Sequence, residues 1–413
     1  MSINLFKVKI IQNILALGIV QIVNYILPLL LIPFLIKTIG INAWGQISFI
    51  QFFMQYFVVF VSFGFQWSAV RRLSIERNNI RKLKELFKAY FCAQVLLLII
   101  SFLILILLVN TFSKFQELNL LVFNGFLVVV GSVIFPYWMM QALEELKVMS
   151  ATQVISQLLC FSMIFLCVKS VEDIQLAMFF QSINNIIAGI LCIIYLNRKG
   201  FKLGISSLIE IKQVFRDSLI IFKSQIWISV YTNTIPVVLG FVGNSDQVAT
   251  YTLADKIQKA IRFLLNPISN AVFPRMSYLF KVNDGNVKKM FIYSLYFTLT
   301  VTAIGGLLIF SYADEFVDIL GGTSLTLAPK IVQIFSLMPI LVGFSNILSV
   351  QWLLPLGREK ELQRIWFLTA FYSLFITFPV CYFYGVIGAG YLAVVIELFV
   401  VLMMIKLMRK NYA

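Results

Sequence analysis

The chain contains no histidine. Histidine is the commonest metal ligand and the commonest proton-transfer side chain near neutral pH, so its absence excludes any Ser-His-Asp or Cys-His catalytic group. The five cysteines add no metal site, because all lie within apolar runs and none forms a CxxC spacing. We therefore expect small buried thiols, no disulfide and no bound metal.

Other chemistry is missing as well. No GxxxxGK[ST] loop is present, so the chain carries no P-loop for ATP hydrolysis. Only 12% of the residues are charged, and the basic residues are spread over short loops instead of forming a nucleic-acid-binding patch. Those loops leave no room for a soluble catalytic domain. The sequence predicts a protein that is not an enzyme, needs no cofactor and binds no nucleic acid.

What the sequence has in abundance is apolar runs, and 60% of its 413 residues are hydrophobic. A helix needs about 20 mainly apolar residues to cross a bilayer. The sequence predicts an all-α polytopic membrane protein with about 12 transmembrane helices. The predicted cores are 14–36, 44–66, 86–109, 118–140, 149–168, 174–196, 217–241, 247–271, 289–311, 326–350, 364–383 and 387–407.

The orientation follows from the lysines and arginines outside these segments. Nearly all of them fall in loops on one side, while the other side has Lys37, Lys114 and Lys169. Because positive loops stay in the cytoplasm, both termini are predicted to be cytoplasmic. The short acidic loop at residues 311–325 then lies outside, as its charge favours.

The twelve segments divide evenly into an N-terminal six-helix lobe, 1–200, and a C-terminal six-helix lobe, 201–413. Ile32-Pro33 precedes Gly40 by the same spacing at which Ile235-Pro236 precedes Gly243. Six spans in each half place both halves in the same orientation, which predicts a parallel repeat about a pseudo-two-fold axis along the membrane normal. Chance matching is the alternative, since few residues carry the repeat.

The most unusual segment is the eighth, which carries a polar stripe at helical spacing. The residues on that face are Tyr251, Asp255, Lys259, Arg262, Asn266 and Ser269, with Lys256 to one side. A charge facing lipid at the bilayer centre costs roughly 2.5–3.5 kcal/mol. The stripe is therefore predicted to face a cavity, and its excess of cations predicts an anionic ligand. The alternative is that Asp255 and Lys259 simply pair and stabilise the bundle.

Neutral polar residues occur in the first two segments. Gln21 and Asn24 lie in the first, and Gln51 and Gln55 lie in the second, where the repeat aligns them with Asp255 and Lys259. They are predicted to face the same cavity, although interhelical hydrogen bonding explains such amides equally well. Lys223 in the seventh segment is expected either on the cavity wall or reaching toward the inner membrane surface.

Several passages resemble one family of bacterial transporters. They are SFGFQWSAVRRLSIERNN, FPYWMMQALEELK, FKSQIWISVYTNTIPVVLGFVGNSDQVATYTLADKIQKA, NAVFPRMS and QWLLPLGREKE. The chain resembles the Wzx-type O-antigen and polysaccharide flippases of the multidrug/oligosaccharidyl-lipid/polysaccharide exporter superfamily, which shares the MATE fold. The resemblance covers nearly the whole chain.

The resemblance implies a multi-pass protein of the bacterial cytoplasmic (inner) membrane. It would move an oligosaccharide on undecaprenyl pyrophosphate from the inner to the outer leaflet by alternating access. Lys259 and Arg262 are expected to bind the pyrophosphate, supported by Lys256 and Lys223. Asp255 is the candidate for coupling to H+ or Na+. The other expected substrate-binding residues are Gln21, Asn24, Gln51, Gln55, Tyr251 and Asn266.

The lipid bilayer and the lipid-linked oligosaccharide are the implied partners, together with a polysaccharide polymerase and a chain-length regulator. One alternative is a cation-coupled multidrug or metabolite antiporter of the same fold, although such a cavity is expected to be acidic. Another keeps the reaction but carries the peptidoglycan precursor lipid II. A membrane polysaccharide polymerase or ligase is a further alternative, which the short outer loops disfavour.

Overall fold

The computed structural model describes residues 2–263, 276, 279, 286–322 and 325–410, with the side chains of 27–262, 276, 279, 287–322 and 325–409. Within these ranges the chain is helical and forms no β-strand. The helices are α1 (Ser2–Ser62), α2 (Phe65–Ile75), α3 (Ile80–Thr111), α4 (Ser113–Glu117), α5 (Asn119–Ile134), α6 (Tyr137–Ala142), α7 (Leu146–Cys167), α8 (Ile174–Arg198), α9 (Leu208–Val242), α10 (Ser245–Phe263), α11 (Asn286–Ser311), α12 (Ala313–Gly321), α13 (Ala328–Phe335), α14 (Met338–Asn346) and α15 (Glu359–Lys410).

The prediction of twelve spans is confirmed by this architecture. Nine helical stretches of the described chain are long and apolar enough to cross a membrane. Two of these stretches each contain two spans, because α1 kinks at Gly40 (φ 83°) and α15 kinks at Gly385 (φ 54°). Glycine adopts such positive φ values at little cost. The twelfth span is α10, which five charged residues exclude from the apolar set.

Three predicted segments differ from the observed helices. The second ends at Ser62, because Phe63 and Gly64 both have positive φ and break the helix before α2 begins. The fourth breaks at Pro136, before the short helix α6. The tenth consists of α13, α14 and a π-helical segment, Ile347–Leu353, with a proline in the first turn of each α-helix. Proline favours that first turn because its missing N–H has no helical partner there.

The described chain forms two compact units. Unit 1 contains residues 1–40 and 50–229, and unit 2 contains residues 41–49 and 230–413. In unit 1, α8 packs against α5 and α7. Several charged residues of unit 1 form ion pairs near helix ends, as Arg72 does with Asp217 (2.9 Å) and Lys82 does with Glu210 (3.0 Å). The predicted lobe boundary at residue 200 stays a prediction about membrane topology.

In unit 2, α10 is the helix around which the others pack. It contacts α11, α12, α13, α14 and α15. Gly45 lies against the first residue of α10, where an added Cβ would come 1.9 Å from the Ser245 carbonyl oxygen. The polar stripe is therefore carried by the most central helix of its unit, and its charges are held among protein neighbours.

Candidate functional site

The stripe on α10 begins with a buried aromatic ring. Tyr251 is 5% exposed and packs edge-on against Phe335 of α13, with ring centroids 5.2 Å apart. This contact fixes the face of α10 that is turned into unit 2. Tyr251 was predicted to contact substrate, and that role stays a prediction.

One turn later, Asp255 is held by two side chains of its own helix. The Lys259 Nζ lies 2.5 Å from Asp255 Oδ2, and the Gln258 Nε2 donates to Oδ1 over 2.9 Å. Asp255 is 13% exposed in its side chain, whereas Lys259 is 41% exposed. The carboxylate is thus sequestered while the ammonium remains accessible. The i,i+4 pair expected from the sequence is formed.

Two further cations follow the pair. Lys256 is partly buried and lies within electrostatic range of both Asp255 and Lys259. Arg262 is also partly buried, and it lies within electrostatic range of Tyr231 and Glu397. Among the described side chains, neither cation forms an ion pair within 4 Å. The three cations Lys256, Lys259 and Arg262 therefore lie near only two described carboxylates, those of Asp255 and Glu397. The polar stripe of α10 thus has an excess of positive charge.

Glu397 is the residue that sequence reasoning missed. It lies in the second half of α15, is 7% exposed, and accepts a 2.7 Å hydrogen bond from the Ser345 hydroxyl of α14. A carboxylate buried at membrane depth is a functional candidate by default. The available signal was an acidic residue inside the predicted segment 387–407. A single acidic side chain forms no periodic polar stripe, so spacing alone does not single it out.

The neutral residues predicted for the cavity belong to unit 1. The Gln51 amide donates to the Gln181 carbonyl oxygen over 3.0 Å, and Gln181 in turn donates to the Ala177 backbone carbonyl. Gln55 and Lys223 are exposed. Gln51 thus joins α1 to α8, the interhelical alternative raised by the sequence. Substrate binding by Gln51, Gln55 and Lys223 stays a prediction.

Four predicted residues lie outside the described side chains. They are Gln21, Asn24, Asn266 and Ser269. Among the side chains that are described, no group of three or more acidic or cysteine residues is arranged to hold a metal ion. All five cysteines are free thiols.

Comparison with known proteins identifies the family of this chain. Residues 10–280 match the family described as "Polysaccharide biosynthesis protein". The chain belongs to this family.

Two curated relatives align over almost the whole chain. It is 28% identical to the "Putative O-antigen transporter" of Escherichia coli (strain K12) over 412 residues, 99% of each chain. It is 29% identical to the "Putative O-antigen transporter" of Shigella dysenteriae over 400 residues, 96% of this chain and 99% of the relative. The predicted family, and the prediction of a transporter instead of an enzyme, are confirmed.

Solved structures establish the fold. The lipid II flippase MurJ in an inward closed conformation superposes with a TM-score of 0.70 at 14% identity, covering 97% of this chain and 87% of MurJ. An inward-facing multidrug resistance MATE family transporter of the MOP superfamily gives 0.63 at 13% identity, covering 92% and 95%. The chain is therefore a multi-pass membrane protein with a MATE-like fold.

Proposed function

We propose that the protein moves an oligosaccharide on undecaprenyl pyrophosphate from the inner to the outer leaflet of the bacterial cytoplasmic membrane. The observation that carries the proposal is the surplus of cations on α10, at the centre of unit 2. The family, two relatives named as O-antigen transporters and a fold shared with a lipid II flippase support it.

The cations suit a pyrophosphate. Arginine and lysine bind phosphate oxygens through charge-assisted hydrogen bonds, which are about twice as strong as neutral ones. Lys259 is accessible yet held by Asp255, so its ammonium is already positioned when the anion arrives. The anion then competes with Asp255 for Lys259 and with Glu397 for Arg262. Lys256 and Lys223 are proposed to add positive charge.

The energetics of the free protein agree with a site that waits for an anion. Cations without an ion-pair partner in an apolar surrounding are costly, and binding of an anion removes that cost. A cationic drug would instead increase the repulsion. The charge balance of α10 thus favours a flippase for an anionic lipid over the antiporter alternative.

We further propose that transport proceeds by alternating access with both termini in the cytoplasm, as the distribution of lysine and arginine favours. Coupling to an H+ or Na+ gradient is assigned to Asp255. A polysaccharide polymerase and a chain-length regulator are the proposed protein partners, since they would act on the delivered repeat unit.

The test uses cells from which this gene has been removed. Lipid-linked oligosaccharide and surface polysaccharide are quantified together. We expect the precursor to be made while the surface polymer disappears. A gene carrying Lys259→Ala with Arg262→Ala is expected to restore transport at least about 100-fold less well than wild type, because each substitution removes a charge-assisted contact.

The matched control is Lys330→Ala with Arg364→Ala, which removes one exposed lysine and one exposed arginine elsewhere in unit 2. It is expected to restore the polymer. Unchanged surface polymer in the deletion, together with new sensitivity to cationic drugs, would establish the antiporter instead. Full restoration by the Lys259 and Arg262 variant would remove the stripe from the binding site.

A further inference from the structure

Several amide side chains of unit 1 bond to one another across helices, as Gln51 does with Gln181 and as Asn124 does with Gln175 over 2.9 Å. Three other amides that lie close together, Gln66, Gln153 and Asn185, differ from these. These three amides make no hydrogen bond to the described part of the chain.

All three line one cavity of about 220 Å³ within unit 1. They come from different helices, since Gln66 lies on α2, Gln153 on α7 and Asn185 on α8. Glycine allows the close approach that places Asn185 there, because a Cβ at Gly131 of α5 would lie 2.9 Å from the Asn185 Cβ. Amides that converge from three helices without bonding to the protein are arranged to bond to something else.

Aromatic residues and a fixed amide form another part of the wall. Trp138 is buried and donates its indole N–H to Gln94 Oε1 over 3.0 Å. Its ring is packed against Tyr90 at 5.4 Å between centroids, so its position is fixed. Tyr137, beside it, also lines the cavity. The wall thus presents flat apolar surface next to free amides.

The lining defines the chemistry of the occupant. None of the described lining residues is charged, so the cavity offers neither cations for a pyrophosphate nor carboxylates for a cationic drug. Each amide offers both donors and acceptors, which match hydroxyl groups. The volume is below the roughly 300–1,000 Å³ of pockets for drug-sized ligands. A single sugar ring, with hydroxyls at its edge and apolar faces, has this size and character.

We propose that this cavity binds one neutral sugar ring of the lipid-linked cargo, through Gln66, Gln153 and Asn185. The inference rests on the proposed function and adds to it a separate site for the glycan. Unit 2 then recognises the charged group common to all such carriers, and the cavity in unit 1 recognises the sugar. Selectivity among repeat units is thereby assigned to the uncharged lining.

The experiment measures binding to the full-length protein in lipid nanodiscs. One probe is lipid-linked oligosaccharide extracted from cells lacking this gene, and the other is undecaprenyl pyrophosphate without sugar. The variants are Gln153→Met with Asn185→Leu, which keep side-chain volume, and Gln66→Met, whose exposed position keeps folding intact. Gln213→Met, at an exposed position on α9, is the matched control.

We expect the cavity variants to weaken binding of the glycan-bearing lipid roughly tenfold, as the loss of one or two hydrogen bonds predicts. Binding of the sugar-free lipid should change by less than about twofold. Lys259→Ala with Arg262→Ala should weaken both. Cavity variants that bind the glycan-bearing lipid as wild type does would overturn the proposal, as would a wild-type protein with equal affinity for both lipids. A wild-type protein that binds neither lipid would contradict the proposed function itself.

Discussion

The paired amides of unit 1 and the charged stripe of unit 2 show two ways of keeping polar groups inside a membrane protein. Gln51 and Gln181 satisfy each other with one hydrogen bond, and such bonds contribute only about 0.6 kcal/mol on average. On α10, Asp255 satisfies Lys259, but Lys256 and Arg262 lack an ion-pair partner among the described residues. The amide pair thus satisfies its polar groups without a ligand, whereas the stripe on α10 leaves positive charge that a ligand can neutralise.

The difference separates a structural role from a binding role by charge balance. Each uncompensated charge costs several times what an amide pair contributes. Packing alone does not require such a charge, because an apolar side chain of similar volume packs as well without the cost of burying a charge. The comparison predicts that changes on α10 act on transport, while changes to the amide pair act on stability.

The largest effect is expected from reversing one charge of the α10 pair. Lys259→Asp places two carboxylates one turn apart, and we expect it to abolish surface polymer and to destabilise the protein by roughly 2–3 kcal/mol. The exposure of Lys259 keeps this below the 3–5 kcal/mol of fully buried pairs. Thermal unfolding in detergent and surface-polymer quantification measure the two effects.

The double variant Asp255→Lys with Lys259→Asp sharpens this test. It restores an i,i+4 pair but moves the ammonium by one turn, so most of the stability should return while transport should not. Wild-type transport by the exchanged pair would mean that Asp255 and Lys259 serve packing alone.

An intermediate effect is expected from neutralising the buried carboxylates of unit 2 separately. Asp255→Asn keeps an oxygen for the Gln258 amide but removes the charge, and it should make transport independent of the H+ or Na+ gradient. Glu397→Gln is the matched variant, since its amide oxygen still accepts from Ser345. Transport in inverted vesicles with and without each gradient is the measurement. Gradient dependence lost in Glu397→Gln and retained in Asp255→Asn would move coupling to α15.

Local spacing explains which of these features could be read from the sequence. The bilayer demands about 20 apolar residues for each span, so twelve segments were predictable, as was the i,i+4 pair of Asp255 and Lys259. Helical periodicity shows which residues share a face, but it does not show what that face meets. The pairing of Gln51 with Gln181, 130 residues apart, is therefore beyond it.

The breaks within spans and the unit 1 cavity were missed for the same reason. A proline marks a possible helix end, yet proline also occurs inside helices, as Pro33 does in α1. The cavity depends on residues from α2, α7 and α8 that no single periodic pattern connects. Glu397 was visible in the sequence, but only its hydrogen bond to Ser345 and its burial mark it out.

The smallest effect on transport is expected for the amide pair of Gln51 and Gln181, to which the comparison assigns a structural role. Gln51→Leu removes the hydrogen bond to Gln181, and we expect a loss of about 0.6–1.7 kcal/mol in stability. Surface polymer per folded molecule should stay near the wild-type level. Gln51→Leu with Gln181→Leu should be nearly as stable as wild type, because no polar group then lacks a partner. Thermal unfolding and polymer normalised to folded protein distinguish the two roles: a transport defect larger than the loss of folded protein would return Gln51 to the substrate-binding residues.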